Sequence, residues 1–242
     1  MKHFGLIGYP LGHSCSAAYF TDKFAREGID ADYALIEIAD IGQMPTATRH
    51  LAGFNVTIPY KKTVMPYLAS ISEEAAAIGA VNCVRRERDG SLAGFNTDVA
   101  GIRATLALCG DMSGARAIVL GSGGAAAAVK YVLREQKVEY ITVSRERGRS
   151  DLTYADLTAE VVAAHRLIIN ATPVGMSPAV ENAPALPYDA LTPQHTLFDL
   201  IYNPAQTRFL ALGAERGAHT IGGHEMFVRQ AEASWRIWSA ED

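Results

Sequence analysis

The sequence predicts an α/β protein in two domains, and three observations carry that prediction. Short apolar runs recur between segments of helical periodicity, the alternation that builds sheets covered by helices. A glycine-rich turn, Gly121-Ser122-Gly123-Gly124-Ala125-Ala126, stands between one apolar run and an amphipathic helix. The pattern changes character after Gly110, with the domain boundary expected in the helix after Asp98, and a long helical segment follows Gly222.

The elements follow in chain order. Residues 4–8 form a short apolar strand, and Pro10, Gly12 and Ser14 mark a turn into a helix. Ala17, Phe20 and Phe24 recur at helical spacing there, with Gly28 as the C′ stop. Residues 33–38 and 54–58 read as strands. Ser70 and Glu73 have capping-box spacing ahead of a helix at 75–78. Residues 80–85 and 92–95 pair as strands around Asp89-Gly90, a hairpin signal. A helix over 99–109 follows, with Ile102, Thr105 and Leu106 inward and Gly110 ending it. Residues 117–120 form a continuous apolar strand. The helix after the glycine turn buries Ala125, Ala128, Val129, Val132 and Leu133 on one face. Strands at 140–143, 167–170 and 196–200 continue a parallel series covered on both faces. A final helix runs over 226–238.

Residues 1–98 with 223–242 are therefore expected to form one domain and residues 99–222 the other, with a cleft between them. The 242 residues, 49% hydrophobic and 20% charged, suit a soluble globular protein. The formal net charge of −4, without a basic block, gives no sign of a nucleic-acid partner. Residues 1–11 are too short an apolar run for a signal peptide. No run approaches the roughly 18–20 apolar residues of a membrane span. Three cysteines without a C-x-x-C pair fit a reduced, cytoplasmic compartment. The seven histidines show no metal-ligand spacing, and His13 beside the first turn is expected to play a structural or positioning role.

The glycine turn fits G-x-G-x-x-A, and its flanking strand and helix supply the context that a dinucleotide fingerprint requires. Gly121 permits the tight turn, Gly123 lets backbone approach a pyrophosphate, and Ala126 allows close helix–strand packing. The helix N-terminus offers N–H groups to phosphates. At the end of the following strand stand Ser144-Arg145, with Arg147 and Arg149 close behind. Guanidinium groups match a phosphate bidentately, which favours NADP over NAD. Glu146 among them could instead contact a ribose hydroxyl, or the segment could be a solvated charged loop. Asn170-Ala171-Thr172-Pro173-Val174-Gly175-Met176 closes another strand where ligands of open α/β sheets bind, although an ordinary loop has the same residues.

A second cluster lies upstream. Asn55-Val56-Thr57-Ile58-Pro59-Tyr60-Lys61 reads as a strand ending in a proline turn that presents a lysine. Asn96-Thr97-Asp98 closes another apolar run. An amine and a carboxylate at strand ends are the minimum equipment for moving a proton on and off an alcohol. Ser14 and Ser16 at a helix start suit a carboxylate ligand, or a plain N-cap. Lys61 alone could be a surface ion-pair partner, and Asp98 alone a helix N-cap.

These motifs together resemble the shikimate dehydrogenase family. The resemblance runs nearly end to end: Gly8-Tyr9-Pro10, His13-Ser14-Cys15-Ser16, the Asn55 to Lys61 stretch, and Gly79-Ala80-Val81-Asn82. It continues through Gly94-Phe95-Asn96-Thr97-Asp98, the glycine turn, the Asn170 stretch, and Met226 with Gln230. It implies an N-terminal α/β substrate domain, a Rossmann-like NADP-binding domain, and reversible NADP-dependent oxidation of the shikimate 3-hydroxyl to 3-dehydroshikimate in aromatic amino acid biosynthesis. By resemblance Lys61 and Asp98 form the catalytic pair. Ser14 and Ser16, joined by Tyr202, hold the substrate carboxylate, and Thr57, Asn82 and Gln230 contact ring hydroxyls. Gly121, Ser122, Gly123, Gly124 and Ala125 hold the cofactor with Ser144, Arg145, Arg149, Thr172, Leu200 and Gly223.

Three departures stand out. Ser144-Arg145-Glu146 replaces the family's usual N-R-T. Gly222-Gly223-His224-Glu225 replaces its usual D-G-L-G, so Glu225 stands where a small residue is common. The segment over 148–158 is short for the family. The alternatives are a quinate/shikimate dehydrogenase using NAD and a non-catalytic metabolite sensor. A sensor should have lost part of the Lys61–Asp98 pair or the glycine turn, and both are present.

Overall fold

Strand β1 (Lys2–Gly8) buries Phe4, Leu6 and Ile7, and the first layer of the protein is built around it. A computed structural model describes residues 1–240 except 13, 111 and 113. Its contacts divide the chain into two compact units, Met1–Thr97 with Ala231–Asp242, and Asp98–Gln230.

In the first unit β1 is followed by α1 (Ser16–Glu27), β2 (Ala31–Glu37), α2 (Met44–Ala47), β3 (Gly53–Val56), β4 (Ser70–Ile71), α3 (Glu73–Ile78), β5 (Cys83–Arg86) and β6 (Leu92–Phe95). The sheet order is β2-β1-β3-β5-β6-β4. Strands β2 and β3 run parallel to β1, while β5 runs antiparallel to both β3 and β6. Ile7, Met44, Phe54, Val56 and Val64 form one buried cluster. Phe4, Phe20, Phe24, Tyr33 and Trp238 form another. The Phe4 and Trp238 rings stack with centroids 4.9 Å apart, and the Trp238 indole N–H donates to Val84 O at 3.0 Å. Burial of each such side chain contributes about 1.5–3 kcal/mol.

The second unit holds α4 (Asp98–Ala107), β7 (Arg116–Leu120), α5 (Gly124–Glu135), β8 (Glu139–Ser144), β9 (Leu152–Thr153), α6 (Ala159–Ala163), β10 (Leu167–Asn170), β11 (Thr196–Asp199), α7 (Arg208–Glu215), β12 (His219–Ile221) and α8 (His224–Ser239). Helix α8 begins in this unit and passes into the first at Ala231. The sheet order is β12-β11-β10-β7-β8-β9, with every pairing parallel. From β7 the chain builds outward through β8 and β9, then returns to β10 on the other flank of β7. That reversal makes the β7/β10 junction a topological switch point, where open α/β sheets bind ligands beyond their strand ends.

The expected hairpin, the long helices and the parallel series are all present. Several local expectations are corrected. Helix α3 is capped by Ser72, whose hydroxyl accepts the Ala75 N–H, and Ser70 lies in β4 instead. The third helical position is then Ala75, so no capping box closes. The strand expected over 54–58 ends at Val56, because Tyr60 N–H returns to Thr57 O and turns the chain. Strand β5 starts at Cys83 rather than residue 80. In α5 it is Ala126, not Ala125, that joins the buried face.

Candidate active site

The C-terminal ends of β1, β3 and β6 and the N-terminal end of β5 share one edge of the first sheet, because β5 runs the other way. Backbone bonds knit the segments at that edge. Thr57 N–H donates to Ile7 O at 2.9 Å, and Tyr9 N–H donates to Ile58 O at 3.1 Å. Val56 N–H donates to Asn82 O at 2.8 Å, and Val81 N–H donates to Lys61 O at 2.7 Å. Thr57, Lys61 and Asn82 are thereby gathered, with Gly8 and Tyr9 beside Thr57 and Ile58.

Each side chain there has a defined setting. The Ser14 hydroxyl accepts the Ser16 N–H at 3.2 Å, and Ser16 opens α1 nearly buried. The N-cap of α1 is Cys15, which makes no side-chain cap, so Ser14 is not an ordinary N-cap. His13 lies outside the described residues. Asn82 is buried, and its side-chain oxygen accepts the Thr97 N–H at 2.6 Å and the Thr97 hydroxyl at 3.2 Å. Thr57 and Lys61 are half-buried. In the second unit Asp98 is buried as the first residue of α4, inside the first turn rather than ahead of it. Unbonded N–H groups of a first helical turn stabilise negative charge.

At the switch point of the second sheet, Gly121 follows β7 with φ of 114°, a conformation that suits glycine. A Cβ there would sit 3.0 Å from Ala171 O and 3.2 Å from Thr172 Cγ2. The glycine turn and the loop after β10 are thus in close contact. Gly123 is the N-cap of α5 with no side-chain cap, and a Cβ there would meet nothing within 4 Å. Open space before uncapped helical N–H groups is the setting a phosphate requires. Ser122, Gly124 and Ala125 are partly exposed around it, while Ala126 is fully buried against the sheet. These residues fit a dinucleotide pyrophosphate.

Ser144, at the end of β8, is buried. Its hydroxyl donates to Glu146 O at 3.0 Å and lies 2.8 Å from the Ser150 hydroxyl. Its role in the structure is to shape the loop. Arg147 pairs with Asp156 at 3.1 Å, and Arg149 pairs with Glu146 at 3.0 Å. Arg145 is exposed and makes no hydrogen bond or ion pair among the described residues.

Thr172 is set by Asn170, whose side-chain oxygen accepts the Thr172 N–H at 3.1 Å and hydroxyl at 2.6 Å. Leu200 N–H donates to Asn170 O at 3.1 Å. Gly223 packs on that turn: its N–H donates to Ile201 O at 3.1 Å, and a Cβ would come 2.4 Å from Leu200 O. The Tyr202 and Phe227 rings lie 4.5 Å apart. Gln230 donates back to Phe227 O at 3.0 Å. Glu225 pairs with Arg229 at 2.7 Å, one turn on along α8.

Two residues that organise this edge were not singled out from the sequence. Asn170 stands in the sequence only as the first residue of the stretch after its strand, and no motif marks Asp199. Both are fully buried polar residues that close an apolar strand at its C-terminal end. A polar residue at that position, in Leu-Ile-Ile-Asn and Thr-Leu-Phe-Asp, was the available signal. Among the described residues no cluster of three His, Cys, Asp or Glu could hold a metal ion, and no helix is long and apolar enough to cross a membrane.

Residues 6–84 match the family model described as the shikimate dehydrogenase substrate binding domain. The shikimate dehydrogenase (NADP(+)) of Syntrophomonas wolfei is 38% identical, the match covering 96% of this chain and 88% of that protein. A crystal structure of shikimate dehydrogenase 1 from Peptoclostridium difficile superposes with a TM-score of 0.88 at 35% identity, over 100% of this chain and 94% of that one. Shikimate 5-dehydrogenase from Thermus thermophilus, solved in complex with NADP(H) and shikimate, gives a TM-score of 0.85 at 31% identity, over 99% and 94% of the two chains.

Proposed function

The chain belongs to the shikimate dehydrogenase family, and on that premise we propose that it catalyses the reversible NADP-dependent oxidation of shikimate to 3-dehydroshikimate. The observation that carries the reading is the knitted edge of the first sheet, where Thr57, Lys61 and Asn82 are gathered by backbone bonds, with Ser14 and Ser16 at the start of the helix that follows β1. A carboxylated, polyhydroxylated ring calls for that set: hydroxyls and helical N–H groups for the carboxylate, and donors and acceptors for the ring.

Ser14 and Ser16 take the carboxylate with Tyr202, whose ring is backed by Phe227. Thr57, Asn82 and Gln230 take ring hydroxyls. Thr97 fixes the orientation of the Asn82 amide. NADP, when bound, supplies the hydride acceptor. Lys61 takes the proton of the 3-hydroxyl as its carbon loses hydride, and returns it in the reducing direction. Asp98 orients that hydroxyl by accepting its hydrogen bond. Gly121, Ser122, Gly123, Gly124 and Ala125 cradle the pyrophosphate, and Thr172, Leu200 and Gly223 border the rest of the dinucleotide.

Cofactor preference rests on the loop after β8. Ser144 is committed to the loop itself, Glu146 to Arg149, and Arg145 to no hydrogen bond or ion pair among the described residues. An acid engaged by an arginine is a poor partner for a ribose hydroxyl, and an unengaged arginine is a good one for a phosphate. That favours NADP over NAD. Residues 1–98 with 223–242 form the substrate-binding and catalytic domain in this reading, and residues 99–222 the dinucleotide domain. Three free cysteines support a cytoplasmic setting.

The test mixes protein with shikimate or quinate and with NADP or NAD, and follows reduced-nicotinamide absorbance. Turnover with shikimate and NADP is expected to exceed the other three pairs. Demonstrated ligand binding with no absorbance change would overturn the reading and leave a sensor.

A further inference from the structure

We propose that Asp199 is a positioning residue for the dinucleotide site, a single buried carboxylate that locks the loop after β10 and the turn after β11 to one another. The inference rests on the NADP-binding reading above. Asp199 ends β11 with no exposure. It accepts three hydrogen bonds from three separate segments. The Asn170 amide donates from the end of β10 at 3.1 Å. The Ile201 N–H donates from the turn after β11 at 3.0 Å. The Thr207 hydroxyl donates from the N-cap of α7 at 2.6 Å.

The reach of that carboxylate extends through its donors. Asn170 spends its remaining capacity on the next loop, accepting both Thr172 donors and giving a bond to Val174 O at 3.3 Å. The Ile201 carbonyl receives the Gly223 N–H. Thr172, Leu200 and Gly223 therefore all hang on segments that converge on one side chain, and none of them touches it directly. A neutral amide there would keep the shape but replace one acceptor oxygen with an NH2 donor and lose the charge that makes each bond strong. Burial pushes the Asp199 carboxyl up to about 6, against the three donors that favour its ionised form. The charge is thus kept at neutral pH by those bonds, as a positioning group requires. The carboxylate belongs to the second unit, and its hydrogen bonds run to Asn170, Ile201 and Thr207, none of them assigned to the reacting hydroxyl.

The experiment titrates NADP into the purified full chain and into Asp199→Asn, and records each unfolding midpoint. Asp199→Asn is expected to fold, with a midpoint no lower than the parent's, and to bind NADP about tenfold more weakly, the scale of one charge-assisted bond. A residue that only held the fold would lower the midpoint and leave the dissociation constant unchanged. Asn170→Ala provides the second arm. Its loss of affinity and that of Asp199→Asn should not add in the double variant, because both break the same link. Equal NADP affinity in parent and Asp199→Asn, or additive losses in the double variant, overturns the inference. A parent that binds no NADP overturns the functional reading first and this inference with it.

Discussion

The two sheet edges that carry the candidate site work by opposite means. On the first, side chains stand at and after the strand ends of a mixed sheet: Ser14, Ser16, Thr57, Lys61 and Asn82, with the Asn82 amide oriented by Thr97 and the backbone of Thr57 and Lys61 held by hydrogen bonds. On the second, a parallel sheet presents bare backbone, with Gly121 turned to 114° and Gly123 facing open space. In the proposed reading the difference follows from what each edge would recognise. A small ring with several hydroxyls is told apart by directed side-chain donors and acceptors. A pyrophosphate is met by clustered N–H groups, and any Cβ would stand in its way.

The contrast can be broken from its side-chain half first. Lys61→Ala should lower kcat by about 10²–10⁴ while the KM for shikimate moves little, as steady-state rates would reveal. A kcat equal to the parent's would remove Lys61 from the chemistry. The next effect concerns stability. Asp199 titrates near 6 when folded against 3.8 as its ordinary value. Between those pH values the folded protein binds the extra proton, so its stability falls as pH rises and the contribution is gone above about pH 6. The change amounts to about 3 kcal/mol. Chemical denaturation of parent and Asp199→Asn across pH 4–7 should give a difference curve of that sign, and a flat difference would contradict it.

Arg145 and Arg147 then offer a paired test within one loop. Removing unpaired Arg145 should cost about 1.5–3 kcal/mol of NADP affinity and leave NAD binding as it was. Arg147→Ala, where the side chain is 82% exposed and already paired, should change neither. Equal losses from both would show a diffuse charge effect. Gly123→Ala sharpens the backbone half of the comparison. The new methyl meets nothing in the protein, so stability should drop by less than about 1 kcal/mol, while isothermal titration should find NADP bound roughly tenfold more weakly. Smallest of all, Glu225→Ala removes a partly exposed helix pair with Arg229. It should cost under about 0.5 kcal/mol and leave the KM for NADP unchanged.

Much of this architecture was legible in the chain because it is written in short-range patterns. The dinucleotide turn is six consecutive residues between a strand and a helix. The hairpin at Asp89-Gly90 and the stop at Gly28 are local too. The edge that gathers Lys61 and Asn82 was only half legible. Their residue types and strand-end positions could be read, but the antiparallel insertion of β5 that joins them is a matter of pairing. Helix α7 and β12 went unread despite Thr207 as a cap with Phe209 and Leu210 inward, because each is short. Asp199 was hidden for a different reason. Its partners Asn170 and Thr207 stand 29 and 8 residues away, so nothing local marks it as the point where three segments meet.

The loop from Ser144 to Ser150 has a consequence of its own. Its two serine hydroxyls touch at 2.8 Å, and just outside them Thr142 and Asp151 are joined by three hydrogen bonds. These two clasps close the excursion between β8 and β9 at its base. Residues 145–149 lie beyond the clasps, all exposed, and contribute no strand pairing. They form a detachable cartridge. Four positions, Arg145, Glu146, Arg147 and Arg149, can be rewritten together, arginines exchanged for acids or the reverse, while Gly148, at a φ of 88°, keeps the turn and the sheet that bears them is left as it is.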